Sequence, residues 1–205
     1  MDDFNVDRLE VGPMGANCYI VTHTPTKDAC IIDPGGEPER IMDFIKKNGL
    51  KPKFIMNTHG HGDHIIGNGY FGVPIYIHRL EKDFLTDPAL NLSGAFGLSI
   101  KTPKASKLLE DGDKVYLNDL EFEILHTPGH TPGGISIKLD GVVFTGDTLF
   151  AGTVGRTDLP DGDEKVLLGS IRSKLLTLDD DTVVYPGHGQ ESTIGTEKES
   201  NPFLK

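Results

Sequence analysis

Apolar residues along this 205-residue chain fall into short runs broken by Gly, Pro, Asn and Asp, a rhythm that predicts strands joined by turns. NVDRLEV, NCYIVTH and ACIIDPG read as strands, and the turn-rich TPTKD between the second and third predicts a hairpin. EPERIMDFIKKNG changes period: Ile41, Phe44 and Ile45 recur at helical spacing, with Pro38 near the start and Gly49 at the end. KFIMNT then reads as a buried strand that runs directly into the loop HGHGDH. In the second half KVYL, LEFEILHT, GISIKL and GVVFTGDT read as successive strands, with Asp140-Gly141 marking a tight hairpin. KVLLGSIRSKLLTL predicts an amphipathic helix, and TVVYPG a last strand that leads to His188. Strands interspersed with helices, several of them hairpin-linked, predict an α/β (α+β) fold of mixed sheets covered by helices. No internal repeat or linker interrupts the chain, so residues 1–205 are expected to form a single domain.

The stretch 70–100 gives no clear element. Its middle, DPALNLSGAFG, reads as a flap with Phe84, Phe96 and Leu98 available to line a pocket, although packing against a sheet is the favoured role. Asp179–Asp181 read as a solvated turn before the last strand, and DGD at 161–163 as the start of the following helix.

Charge narrows the partners. The formal net charge of −11 argues against a phosphate-backbone ligand, which needs a basic face, so no nucleic-acid partner is expected. MDDFNVDRLEV is acidic and carries no apolar stretch of the signal-peptide kind. No apolar run approaches the roughly 20 residues a membrane helix needs. A soluble, cytoplasmic protein with no membrane partner is the expectation. The two cysteines, Cys18 and Cys30, both lie in apolar strand-like runs. They are placed to face each other across a hairpin, but buried free thiols in a reducing compartment are the favoured state.

The candidate chemistry sits just after the carboxyl ends of strand-like runs, where open α/β sheets place their sites. His59, His61, Asp63 and His64 fall within six residues. In an extended loop residues i and i+2 project to the same side, so His59 and His61 can reach one ion together. Gly60 and Gly62 permit φ angles that would let the loop curl, turning Asp63 and His64 toward a second point. His130 in TPGHTPG, Asp147 in FTGDT and His188 in YPGHG add three Gly-flanked strand ends. Imidazoles and carboxylates suit zinc first, and iron or manganese as well, rather than calcium. A structural zinc site would more often use thiolates in a closed tetrahedron, so a catalytic centre with an open position is expected. His23 and His78 read as ordinary surface or core histidines.

The string THGHGDH at 58–64, followed in order by His130, Asp147 and His188, resembles the H-x-H-x-D-H signature of the metallo-β-lactamase superfamily, and the resemblance spans essentially the whole chain. It implies a four-layer αβ/βα sandwich with the site at one edge. It also implies two divalent metal ions: His59, His61 and His130 on the first, Asp63, His64 and His188 on the second, and Asp147 bridging. Asp33, in IIDPGG, is assigned by the same resemblance to support of the ligands or to a turn.

Two metals roughly 3.5–4 Å apart can share a hydroxide and polarise a carbonyl, so hydrolysis of an ester, thioester, lactone or amide follows with no Ser or Cys nucleophile. No G-x-S-x-G offers a rival route. Within the superfamily, GDTLFAGTVGRTDLPDGD at 146–163 and PGHGQESTIGTEKESNPFL at 186–204 resemble the glyoxalase II group, the hydroxyacylglutathione hydrolases, in the compact form without a C-terminal helical domain. That likeness implies a small-molecule thioester substrate, with Arg156 on the thiol's carboxylate and Asp63 and Asp147 as the catalytic carboxylates. Larger relatives accompany that basic residue with tyrosines where Asp158 and Gln190 stand here, so a structural Arg156–Asp158 ion pair is an equal reading. The persulfide dioxygenases share H-x-H-x-D-H, TPGHT and a GRTD segment, and the likeness to them implies one iron held by His59, His130 and Asp147. A secreted β-lactamase, a nuclease and a non-catalytic binding module on this fold rank below both.

Overall fold

Strands β1 (Phe4–Val11) and β2 (Ala16–His23) pair antiparallel, and along β2 the burial extends to every residue. Tyr19 and Val21 point into one apolar cluster, Cys18 and Ile20 into another. A strand buried on both faces must lie inside a stack of layers. The computed structural model describes residues 3–205, and such a stack surrounds β2.

β3 (Asp28–Ile32), β4 (Lys51–Met56), β5 (Ile75–His78) and β6 (Lys107–Leu109) complete a six-stranded sheet in the order β1 to β6, antiparallel up to β3 and parallel beyond it. The second sheet is built from β7 (Lys114–Leu117), β8 (Leu120–His126), β9 (Ile135–Leu139) and β10 (Val142–Gly146). A small hairpin, β11 (Leu149–Phe150) with β12 (Thr153–Val154), stands outside it; β13 (Val183–Pro186) and β14 (Ser192–Thr193) finish it in the order β14-β13-β10-β9-β8-β7. Val21, Ile32 and Met56 of the first sheet meet Phe122, Ile137 and Phe144 of the second across the central core.

Helices cover both outer faces. α1 (Pro38–Lys47) places Ile41 and Ile45 on the first sheet beside Ile20, Ile31 and Ile55. Its polarity suits the helix dipole, with Glu39 in the first turn and Lys46 and Lys47 in the last. α2 (Gly62–Ile65) is a single turn inside the histidine loop. α3 (Glu164–Ser170) starts at Asp163, whose side chain accepts the Val166 N–H at 2.9 Å, as expected for DGD. Leu167, Ile171 and Leu175, spaced by four, cover Val143 and Val184 of the second sheet together with Ile194 of α4 (Ile194–Ser200). The expected four-layer αβ/βα sandwich is thus the observed one.

Several expectations are corrected. Val21, not Cys18, stands opposite Cys30, and the two thiols lie in different core clusters on opposite faces of the sheet. A disulfide is therefore geometrically barred; both cysteines are free and buried. The helix expected across 165–178 is α-helical only to Ser170 and continues as a π turn over Ile171–Leu175, where the Ser173 hydroxyl takes up the Gly169 carbonyl. TVVYPG is not the last strand, since β14 and α4 follow it. Within 70–100, Ile75–His78 forms an interior strand. Phe84 is buried, while Phe96 and Leu98 are 68% and 55% exposed, so only the first packs as expected.

Candidate metal centre

β4 ends at Met56, the chain bends at Thr58 and His59, and His61 is extended (φ −66°, ψ 149°) before α2 begins at Gly62. His59 and His61 face each other, with His59 Nε2 3.1 Å from His61 Nδ1. The single turn of α2 then carries Asp63 and His64. Gly60 and Gly62 matter for space rather than for φ, since neither has a positive φ. A Cβ at Gly60 would lie 2.4 Å from Phe84 Cβ, and one at Gly62 2.9 Å from Ile100 Cδ1.

The second sheet supplies the rest. His130 follows β8, Asp147 follows β10 directly, and His188 lies just past β13. Asn17 holds the β13 end through the Pro186 and Gly189 carbonyls at 2.9 and 3.0 Å, and the Tyr19 hydroxyl donates to Pro186 at 2.7 Å. All seven expected residues come together. His59, His61 and His130 form one triad, closed by His130 Nε2 at 3.0 Å from His61 Nδ1. Asp63, His64 and His188 form the other, with His188 Nε2 3.3 Å from both Asp63 Oδ2 and His64 Nε2. Asp147 stands between them: Oδ2 is 3.5 Å from His130 Nε2 and 3.7 Å from His188 Nε2, and Oδ1 is 3.5 Å from His64 Nε2.

The supports fix which nitrogen faces inward. His130 Nδ1 donates to the Arg156 carbonyl at 2.8 Å, and His64 Nδ1 donates to Asp33 Oδ2 at 3.0 Å. Each ring therefore turns a lone pair at Nε2 toward the centre in its neutral form. Asp33 also accepts the Thr58 N–H at 2.8 Å and the Thr58 hydroxyl at 2.5 Å. It lies within ligand distance of His59 and His64 as well, but these bonds occupy both its oxygens, so it serves as a support. It fills both roles expected of it, because its φ of 50° also turns the chain.

These residues fit a pair of cations. Asp147 Oδ1 is buried without a hydrogen-bond partner. A Cβ at Gly187 would sit 2.2 Å from that same oxygen and fill the space in front of it. Imidazole nitrogens and carboxylate oxygens converge from two sheets, an arrangement costly without positive charge. The electrostatics divide the triads. Burial, with neighbouring histidines, lowers His61 to about 3 and holds His59 well below the usual range, so both are neutral at pH 7. Burial also pushes His64 down, but Asp63, Asp147 and Asp33 outweigh it and raise His64 to about 10. The carboxylates around the second triad thus demand a cation, by proton or by metal.

His23 pairs with exposed Asp119 at 2.8 Å, and His78 is buried and stacked on His126 at 4.3 Å between ring centres, away from the seven. At the rim, Phe150 lies 6.3 Å from His188, and Phe84 lies 6.4 Å from His61, ring centre to ring centre. Arg156 is engaged by Asp158 through Nε and Nη2, both at 2.8 Å. Two buried side chains carry loops of the site without any sequence signal, Glu81 on Gly60 and Gly133 and Asn57 on the His64 carbonyl, while buried Glu197 holds Gly152 in the β11–β12 turn away from the triads.

The sequence model of the metallo-beta-lactamase superfamily matches residues 11–188, which span all seven residues of the two triads and Asp147. The chain belongs to the metallo-beta-lactamase superfamily. This superfamily binds divalent metals, and its metallo-hydrolases are enzymes. The chain is 42% identical over 205 residues to the probable metallo-hydrolase YqgX of Bacillus subtilis, covering 96% of each. It is 42% identical over 212 residues to hydroxyacylglutathione hydrolase GloC of Haemophilus influenzae, covering 98% of each. Among solved structures it resembles BLEG-1 B3 metallo-beta-lactamase (TM-score 0.94, 39% identity, 98% of this chain and 100% of that one). It also resembles TTHA1623 in a di-iron-bound form (0.86, 37%, 97% and 100%) and ETHE1 from Myxococcus xanthus (0.81, 28%, 97% and 83%). No helix among the described residues is long and apolar enough to cross a membrane.

Proposed function

We propose that this superfamily member is a binuclear-metal hydrolase that cleaves small-molecule thioesters of the hydroxyacylglutathione type. The observation that carries the reading is Asp147 standing between two complete triads. In it His59, His61 and His130 hold the first ion, Asp63, His64 and His188 the second, and Asp147 both. Two divalent ions, zinc in the first instance and iron or manganese as the donor set also accepts, would make a nucleophile of water near pH ~7 and polarise the thioester carbonyl.

The chain's own residues do the rest. Asp63 and Asp147 would orient the attacking water beside the ions; as its oxygen bonds to the carbonyl carbon and the C–S bond breaks, its proton passes to the departing thiolate. His59 and His61, neutral at pH 7, remain available as ligands throughout. Arg156 is the residue for the thiol's carboxylate: its backbone carbonyl is tied to His130, and its charge is among those that lower His61. The 42% identity with GloC supports the thioester reading. The likeness to ETHE1 keeps a second reading open, a mononuclear-iron persulfide dioxygenase using His59, His130 and Asp147.

The test is turnover of S-lactoylglutathione by protein purified without chelators. Thiol release from that substrate, with a penicillin left intact, is the expected outcome. Oxygen uptake on glutathione persulfide without thioester cleavage would move the assignment to the dioxygenase. Penicillin hydrolysis alone would move it toward BLEG-1.

A further inference from the structure

Glu81 is a fully buried carboxylate at the end of a 3-10 turn that follows β5, between exposed neighbours Arg79, Leu80 and Lys82. Among the described residues it makes no ion pair. Its two oxygens go to two different loops: Oε2 accepts the Gly60 N–H at 2.9 Å, and Oε1 accepts the Gly133 N–H at 2.7 Å. Gly60 lies between His59 and His61 on the first sheet's loop. Gly133 lies in the turn that follows His130 on the second sheet's loop. Glu81 leaves no room for a side chain at Gly133, and at Gly60 it adds to the block that Phe84 already makes. A Cβ at Gly60 would be 3.0 Å from Glu81 Oε2, and one at Gly133 2.7 Å from Glu81 Cγ.

Burying a carboxylate without a counter-ion is costly, and two backbone N–H groups can be satisfied more cheaply by carbonyls. What a carboxylate adds is a rigid, charged bridge of fixed width with one acceptor for each loop. Apart from the facing His61 and His130 rings, these two stretches are also tied by the Ile135 N–H to the Thr58 carbonyl at 2.8 Å, further from the centre.

We infer that Glu81 is a positioning residue for the first triad, its carboxylate setting the distance between the His59/His61 pair and His130. It has no matching role at the second triad, whose ligands hang from α2 and β13 and are held by Asp33 and Asn17. The inference rests on the two-metal reading, and wild-type stoichiometry measured alongside tests that reading separately.

The experiment titrates metal-free protein with zinc against a chromophoric chelator and records the thermal midpoint of the same metal-free sample. Glu81→Gln keeps the volume but offers one acceptor, so one N–H faces a donor. One of the two equivalents is expected to weaken roughly 10- to 100-fold, the usual effect of losing a ligand's support, with the other unchanged. Glu197→Gln is the control. It removes an equally buried carboxylate that accepts from Gly152 N–H, Ser192 Oγ and Asn201 Nδ2, and it should lower the midpoint comparably without weakening either equivalent. Glu81→Asp keeps the charge on a shorter stem and should also weaken that equivalent selectively. Wild-type affinity in Glu81→Gln would overturn the inference. So would equal weakening of both equivalents, or failure of both Glu81 variants to fold, which would make Glu81 a support of the whole sandwich rather than of the triad.

Discussion

Arg156 and Asp158 meet side on, Nε to Oδ1 and Nη2 to Oδ2, both at 2.8 Å. The face of the guanidinium best suited to a substrate carboxylate is therefore already occupied from within the chain. The pair is fully exposed, so solvent screening makes the internal carboxylate easy to displace. Asp158→Asn should raise kcat/KM for S-lactoylglutathione by up to about fivefold, through KM. A thioester with no carboxylate should be unaffected. An equal change for both substrates would place Arg156 outside the binding site.

Asp33 orients His64, and its φ of 50° is one that Asn tolerates. Asp33→Asn therefore changes the hydrogen bond with little backbone strain. Affinity for one zinc equivalent is expected to fall roughly 10- to 100-fold. Chelator competition reads it, and an unchanged constant would remove Asp33 from the support of His64.

Stability of the metal-free chain should depend on pH in both directions. Burial first, then nearby positive charge, lowers His61 to about 3 and His78 to about 4, against 6.5 for an ordinary histidine. Below pH 6.5 the unfolded chain takes protons that these folded sites refuse, so stability falls as the pH drops toward about 4. His64, raised to about 10, contributes fully below 6.5 and loses its contribution as the pH rises through about 10. The thermal midpoint should peak near pH 6.5. A midpoint that climbs steadily from pH 6.5 to 9 would contradict the charges assigned to the second triad.

Gly187 leaves open the space before Asp147. Gly187→Ala would place a methyl 2.2 Å from Asp147 Oδ1 and 2.9 Å from His64 Cε1. Overpacking of this kind costs about 1–3 kcal/mol, so the chain should fold with a lowered midpoint. Metal content should drop by at least one equivalent and turnover by tenfold or more. Full loading in this variant would show that Asp147 is not a ligand.

The site was legible where its chemistry is local. His59 to His64 declare themselves within six residues, and His130, Asp147 and His188 each sit at a Gly-flanked strand end. Mixed sheets covered by helices followed from the short apolar runs and from the helical spacing of Ile41 and Ile45, and the four-layer sandwich from the resemblance that THGHGDH carries. What escaped depends on tertiary pairing. β5 and β6 are four and three residues long, too short for a period to register. Cys18 and Cys30 needed the strand register to show that they face apart. Glu81 and Glu197 look like solvated charges in sequence, because the N–H groups that hold them come from residues far along the chain. In sequence Gly60 and Gly62 suggest conformational needs, whereas Phe84 and Ile100 make them steric ones.

The most direct measurement is a titration of metal-free protein with zinc, following S-lactoylglutathione hydrolysis and bound metal in the same sample. Two triads sharing Asp147 predict that turnover stays low through the first equivalent and rises with the second, reaching its plateau at two per chain. A plateau at one equivalent, with no gain from further metal, would contradict the binuclear centre.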